Sequence, residues 1–255
     1  MRKLRLLSCL CPVLALTILA APAAADPTAG PPICPGPSAG VTPISGHYRD
    51  LTITGNRYVA SGTTLKVRGN LTLARGACLD AFTLGTVKVR RNLLVGKGAI
   101  LALGCTPNST GPGAPCNGQT TSDTVGRNLI ANHPYTMYLD GDTIHGSVIS
   151  KGGGPGLVSN PSVNFPIKDN AIDGNLIVQD WHGGWVGAIR NTVGRNLIFS
   201  RNMSVADPDA NEVQTNTVFG NLICRGNSPA AHVNPMDMGL PNTVAGGKIG
   251  QCAGL

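Results

Sequence analysis

From Ile44 to the end of the chain, short β-branched apolar runs alternate with Gly, Asn and Asp, and no stretch carries the period of an amphipathic helix. The runs repeat. Val67-Arg-Gly-Asn-Leu-Thr-Leu73 returns as Val89-Arg-Arg-Asn-Leu-Leu-Val95, Val125-Gly-Arg-Asn-Leu-Ile-Ala131, Ile144-His-Gly-Ser-Val-Ile-Ser150, Ile172-Asp-Gly-Asn-Leu-Ile-Val178, Val193-Gly-Arg-Asn-Leu-Ile-Phe199 and Val218-Phe-Gly-Asn-Leu-Ile-Cys224, then fades into Val244-Ala-Gly-Gly-Lys-Ile249. Repetition of a segment with strand composition predicts a solenoid.

The Asn position of the motif falls at 70, 92, 128, 147 (Ser), 175, 196, 221 and 247 (Gly), giving intervals of 22, 36, 19, 28, 21, 25 and 26. Such intervals hold three strands of about 4 to 6 residues with their turns and leave no room for a helix. The interval of 36 contains the segment from Cys105 to Cys116; without those 12 residues it is 24, so one loop is spliced into one coil. Gly76-Ala-Cys-Leu79 and Gly98-Ala-Ile-Leu101 mark a second strand at matching distances after their Asn. The variable interval argues against the strict register of a left-handed hexapeptide helix. The pattern predicts an all-β fold: a right-handed parallel β-helix of seven to eight coils over residues 44–255, about 35 to 40 Å long at one coil per ~4.8 Å.

Inside such a rod, Val67, Leu71 and Leu73 share columns with Ile172, Leu176 and Val178 and with Val193, Leu197 and Phe199. Asn70, Asn92, Asn128, Asn175, Asn196 and Asn221 are expected to form a ladder at a bend, where Asn tolerates left-handed backbone and its amide reaches the next coil.

Residues 1–25 carry Arg2, Lys3 and Arg5, an apolar run from Leu6 to Ala21, and Ala23-Ala-Ala25 before Asp26, the pattern of a secretory signal peptide. The run is too short for a spanning helix. Residues 26–43 form a Pro/Gly-rich leader anchored by Cys34. The chain is therefore expected to be secreted or held in the cell envelope, with no membrane span. Beyond the signal stand six cysteines, an even number suited to disulfides in an oxidising compartment. Cys105 and Cys116 bracket a local loop, Cys224 and Cys252 lie in the last two repeats, and Cys34 with Cys78 would tie the leader to an early coil. Setting aside three of the 20 Lys and Arg and none of the 13 acids lowers the net charge from +7 to +4. That balance does not call for nucleic acid, but it attracts an anionic wall polymer or acidic polysaccharide.

Chemistry is expected at departures from the repeat. His145 and Asp173 each follow the first motif position in adjacent coils, which predicts a hydrogen-bonded pair on the outer surface, the start of an acid/base constellation. With Asp140 and Asp142 just upstream, the four residues make up a candidate catalytic face. Paired carboxylates there also suit calcium, although no calcium-loop motif occurs and no metal or other cofactor is assigned. Asp180-Trp-His-Gly-Gly-Trp185 offers Trp181, His182 and Trp185 as a candidate glycan-binding loop that works by ring stacking. Arg91, Arg127 and Arg195 share one column as a sparse basic stripe.

The repeat, with the ending Asn242-Thr-Val-Ala-Gly-Gly-Lys-Ile-Gly-Gln-Cys-Ala-Gly-Leu255, resembles a group of small secreted bacterial proteins that carry V-x-G-N-[LV]-x-V repeats and end near G-Q-C-A-G-L. The resemblance covers roughly residues 44–255; it implies a β-helix without an assigned activity and supplies no catalytic residues. The coil pattern more distantly resembles bactofilin-type polymer-forming β-helices, which are cytosolic and cysteine-free. The expected function is a non-enzymatic structural or binding protein of the cell surface or extracellular space, recognising glycans or anionic polymers. The alternative is a carbohydrate-active enzyme of the polysaccharide lyase or glycoside hydrolase type. Open end coils also make self-association an expectation, since unpaired terminal strands invite pairing.

Overall fold

In this computed structural model the described residues are Cys34, 41–107, 116, 118–156, 163–204 and 210–255. The signal peptide and, apart from Cys34 and residues 41–43, the leader lie outside them.

The chain winds as a parallel β-helix of about eight coils, each full coil laying one short strand on each of three faces. Face one runs from Thr42–Pro43 to Glu212–Gln214 in eight strands; face two runs from Gly46–Tyr48 to Thr243–Val244 in nine, and face three from Leu51–Ile53 to Lys248–Gly250 in nine. Late face-two strands such as Thr192–Val193 and Thr217–Val218 are only two residues long, shorter than expected, because the motif bends immediately after its Val. The predicted second strands are Cys78–Asp80 and Ile100–Leu103, paired in register on face one.

Identical motif positions stack directly. Leu129, Val148, Leu176, Leu197 and Leu222 form one continuous column, and Val125, Ile144, Ile172, Val193 and Val218 another, all buried. Each such side chain contributes roughly 1.5 to 3 kcal/mol by leaving water. The spliced segment leaves face one after Leu103 and rejoins face two at Thr124; a Cys105–Cys116 disulfide and an antiparallel bridge between Cys105 and Thr121 close its neck. Cys34–Cys78 and Cys224–Cys252 complete the disulfides expected from position.

Polar ladders fix the bends. Asp50 accepts from the Asn70 amide N–H at 2.8 Å, and the same bond is repeated from Asn92 to Asn70, Asn128 to Asn92, Ser147 to Asn128, Asn175 to Ser147, Asn196 to Asn175, Asn221 to Asn196 and Gly247 to Asn221. This is the predicted ladder, continuous from the first coil to the last, although none of its asparagines takes the left-handed backbone expected at the bend.

A second ladder, inside the rod between faces one and two, consists of Asp142, Asn170, Asn191, Asn216 and Asn242, each supplying one side-chain oxygen or backbone N–H to its neighbour. Each of these asparagines also donates its amide to a backbone carbonyl: Asn170 to Leu139, Asn191 to Ile167, Asn216 to Ala188 and Asn242 to Val213. A third interior run joins Trp181, Asn202, Asn227 and Gln251.

The inward turn of the second ladder has a local cause. The residue before each of the first four members, Gly141, Asp169, Arg190 or Thr215, has a positive φ of 83°, 59°, 55° or 58°, which breaks strand alternation and sends the next side chain into the core; Pro241 precedes the last member, Asn242. Left-handed backbone is costly for Thr215 and Arg190; the interior amide bonds offset that cost, and Arg190 adds a bidentate pair to Asp169 at 2.7 Å.

Candidate functional site

The four residues of the candidate catalytic face do not share one surface. His145 Nδ1 lies 3.0 Å from Asp173 Oδ2 in the adjacent coil, as the column predicts, with both side chains more than half exposed. Asp140 and Asp142 are both covered, 5 % and 1 % exposed: Asp142 turns into the rod, whereas Asp140 alternates with the core residue Leu139 and lies beneath the spliced segment. Asp140 accepts the Thr106 hydroxyl at 2.9 Å. Asp142 Oδ1 and Oδ2 are buried without a hydrogen-bond partner. An exposed pair of this kind contributes little to stability, so His145→Ala is expected to move the unfolding free energy by less than about 1 kcal/mol, checked by urea denaturation.

Asp123, one coil before Asp142, belongs to the same interior column. Its Oδ1 accepts from Val87 N–H at 2.6 Å and its Oδ2 from Gly104 N–H at 2.9 Å. Burial nevertheless pushes its pKa up to about 7, opposed by those two bonds and by Lys88. Burial raises Asp142 well above the usual carboxylate range, and the charges of Asp123 and Asp140 add to the rise. Two acids therefore occupy rungs that later coils fill with Asn. Among the described residues no group of three or more His, Cys, Asp or Glu is arranged to hold a metal ion, calcium included.

The tryptophan segment is structural rather than open. Trp181 is fully buried, tilted against Phe165 with ring centroids 5.5 Å apart, and its indole N–H points to the Tyr135 carbonyl at 3.4 Å. Trp185 is half-buried, donates to Glu212 at 3.2 Å and carries Lys168 Nζ 5.1 Å from its ring centre. His182–Gly183 is a strand paired with Met203–Ser204. A Cβ on Gly183 would stand 2.1 Å from the Trp181 ring, and one on Gly187 2.3 Å from the Trp185 ring, so these glycines make room for indoles. With Trp181 in the core, the three residues do not form a stacking platform.

The surface feature that the scaffold leaves unexplained lies on the early half of face two. In register down that face run His47, Lys66 and Lys88, then Thr124, Thr143, Ala171, Thr192, Thr217 and Thr243. Two residues further along each of the first three coils stand Arg49, Arg68 and Arg90, followed by Gly126 and His145. The three coils thus read His-Tyr-Arg, Lys-Val-Arg and Lys-Val-Arg, with the middle residue directed inward and the outer two exposed. Lys66, Arg68, Lys88, Arg90, Thr124 and His145 border an open groove of about 360 Å³. Gly126 sits where a Cβ would be 2.2 Å from the Arg90 carbonyl oxygen, so no side chain interrupts the groove between Arg90 and His145.

None of Lys66, Arg68, Lys88 and Arg90 forms an ion pair among the described residues. Of this set only Arg68 and Arg90 follow the first motif position, the column that holds His145 and Asp173. The signal for the rest is the Lys-Val-Arg triplet recurring 22 residues apart, where later coils have Thr-Val, Thr-Ile or Ala-Ile.

Fold and site together define a disulfide-pinned parallel β-helix with a basic groove on one face. Set beside known proteins, the chain matches no family model, no curated protein and no solved structure. The three disulfides fit a non-reducing environment, and no helix among the described residues is long and apolar enough to cross a membrane.

Proposed function

We propose that this chain is an exported, non-enzymatic structural or binding protein of the cell surface or extracellular space, related to the small secreted V-x-G-N-L repeat proteins it resembles. One observation carries the reading: the acids that an enzyme of this shape would aim at substrate are divided between buried and exposed positions. Asp123 and Asp142 are built into the interior and Asp140 is covered by the spliced segment at Thr106, where substrate has no access. His145 and Asp173 remain outside, bound to each other. A rod whose bends are locked by three polar ladders and three disulfides suits a part that must keep its shape outside the cell. Its end strands, Thr243–Val244 and Lys248–Gly250, also offer an edge for a second copy.

The test is a turnover screen of the purified protein on acidic and neutral polysaccharides, following new reducing ends and unsaturated products. No activity above buffer is expected. Turnover that disappears in Asp173→Asn would overturn the reading in favour of a carbohydrate-active enzyme.

A further inference from the structure

We infer that the groove on the early half of face two binds a linear acidic polysaccharide carrying one carboxylate per sugar, laid along the axis of the rod. The inference rests on the binding half of the function proposed above and gives it a ligand class and a place.

The first reason is energetic. Lys66 and Lys88 are direct cross-strand neighbours, and Arg68 and Arg90 stack beside them. Like charges placed directly opposite destabilise a sheet. The scaffold has a neutral solution for the same position, the Thr124, Thr143, Thr192, Thr217 and Thr243 column, and does not use it here. Lys88 does act on Asp123 beneath the strand, but that carboxyl is buried and cannot reach out to neutralise the groove. A bound anion relieves the repulsion from outside.

The second reason is spacing. Successive coils are about 4.8 Å apart, close to the advance of one 1→4-linked sugar ring, so one acidic sugar per coil meets one Lys and one Arg at each step. The Arg supplies a planar fork suited to a carboxylate and the Lys a mobile point charge. Thr124 and His145 lie at the far end of the groove and add hydroxyl and imidazole partners.

The third reason is what the groove lacks. No Trp, Tyr or Phe lines it. Single-stranded nucleic acid is held by stacking bases on aromatic rings, and neutral sugars by hydrophobic contact with them. Beside Val67, Val89 and the aliphatic stems of its Lys and Arg, this groove offers charge and hydrogen-bond donors but no Trp, Tyr or Phe face, so its ligand is a polyanion whose rings need no platform.

The experiment is calorimetric titration of the disulfide-bonded protein with polygalacturonate at low salt, with dextran as neutral control and inorganic polyphosphate as rival polyanion. Polygalacturonate is expected to bind and dextran not to. Binding should fall steeply with salt, as counterion release requires. Lys66→Thr/Lys88→Thr, which restores the scaffold's own residue, and Arg68→Gln/Arg90→Gln are each expected to weaken binding about tenfold or more. Arg195→Gln/Arg225→Gln, equal in charge but remote, should leave binding within about twofold.

Unchanged binding by the two groove variants, equal loss in the remote variant, tighter binding of polyphosphate, or no binding of polygalacturonate would each overturn the inference. Polygalacturonate bound but also cleaved would support the groove and sink the non-enzymatic reading. Absence of both binding and cleavage would do the reverse.

Discussion

Raising the pH from 5 to 8 is expected to lower the unfolding free energy of this protein by several kcal/mol, and Asp142→Asn is expected to remove much of that loss. Asp123 and Asp142 stand in an interior column whose later members, Asn170, Asn191, Asn216 and Asn242, both accept and donate. Asp123 receives two backbone N–H donors, which favour its charged form, whereas Asp142 has no donor on either oxygen. Asp142 is therefore the partner that keeps a proton, facing the charges of Asp123 and Asp140.

The folded pKa of Asp123, about 7 against 3.8 for the free side chain, lies above the unfolded value. The native state consequently binds more protons than the unfolded chain between those limits, and stability falls as pH rises through that window. At 1.36 kcal/mol per unit, Asp123 alone accounts for a loss on the order of 3 kcal/mol above pH 5, the rest of its effect falling below that pH. Asp142, also raised well above the usual carboxylate range by burial and by the charges of Asp123 and Asp140, adds to the fall.

An Asn at 142 supplies the amide that the rest of the column uses and cannot ionise, so the share of the loss that comes from Asp142 disappears. Urea unfolding with intact disulfides at pH 5 and pH 8 measures this directly. A wild type equally stable at both values, or an Asp142→Asn protein weaker than wild type at pH 8, would show that the interior acids are not held protonated.

The fold was legible because its rule is written at every coil. The Val-x-Gly-Asn-Leu spacing places Val125, Leu129 and their equivalents in stacked columns, and the outer Asn ladder follows from the same register. The interior ladder was not read, because Asn170, Asn191, Asn216 and Asn242 look like turn punctuation before a short Thr-Val or Ala-Ile strand. Their direction depends on the left-handed residue in front, and Asp169, Arg190 and Thr215 do not announce that geometry as Gly141 does. The same blindness made Asp140 and Asp142 look like surface acids.

The tryptophan segment misled for a different reason. Two glycines beside two indoles resemble a flexible loop, yet Gly183 and Gly187 are small so that the rings can pack against the backbone. The Arg half of the basic groove is legible from the repeat, since Arg68 and Arg90 follow the first motif position as His145 and Asp173 do. Lys66 and Lys88 precede that position, where the motif itself prescribes no residue type.

Asn191→Ala is expected to cost about 3 to 5 kcal/mol, well above an equivalent cut in the outer ladder. Asn191 Oδ1 accepts both the backbone and side-chain N–H of Asn170, at 3.1 and 2.9 Å, and Asn191 Nδ2 donates to the Ile167 carbonyl and to Asn216. Truncation leaves the Asn170 backbone N–H without its partner and takes one acceptor from Asn170 Nδ2 and one donor from the Ile167 carbonyl, at a site 1 % exposed, and a stranded buried group costs about 1 to 3 kcal/mol beside the lost bonds. Asn196 makes the matching bonds to Asn175 and Asn221 in the outer ladder, but it is only half-buried, so water can replace them. Asn196→Ala should therefore cost about 1 kcal/mol. Both variants keep the aliphatic columns and the disulfides, so the slope of the urea transition should stay constant while its midpoint moves. Equal midpoints for the two variants would mean that the interior amides are dispensable and that the aliphatic columns alone hold the coils in register. A larger shift for Asn191→Ala assigns the register to the buried amides.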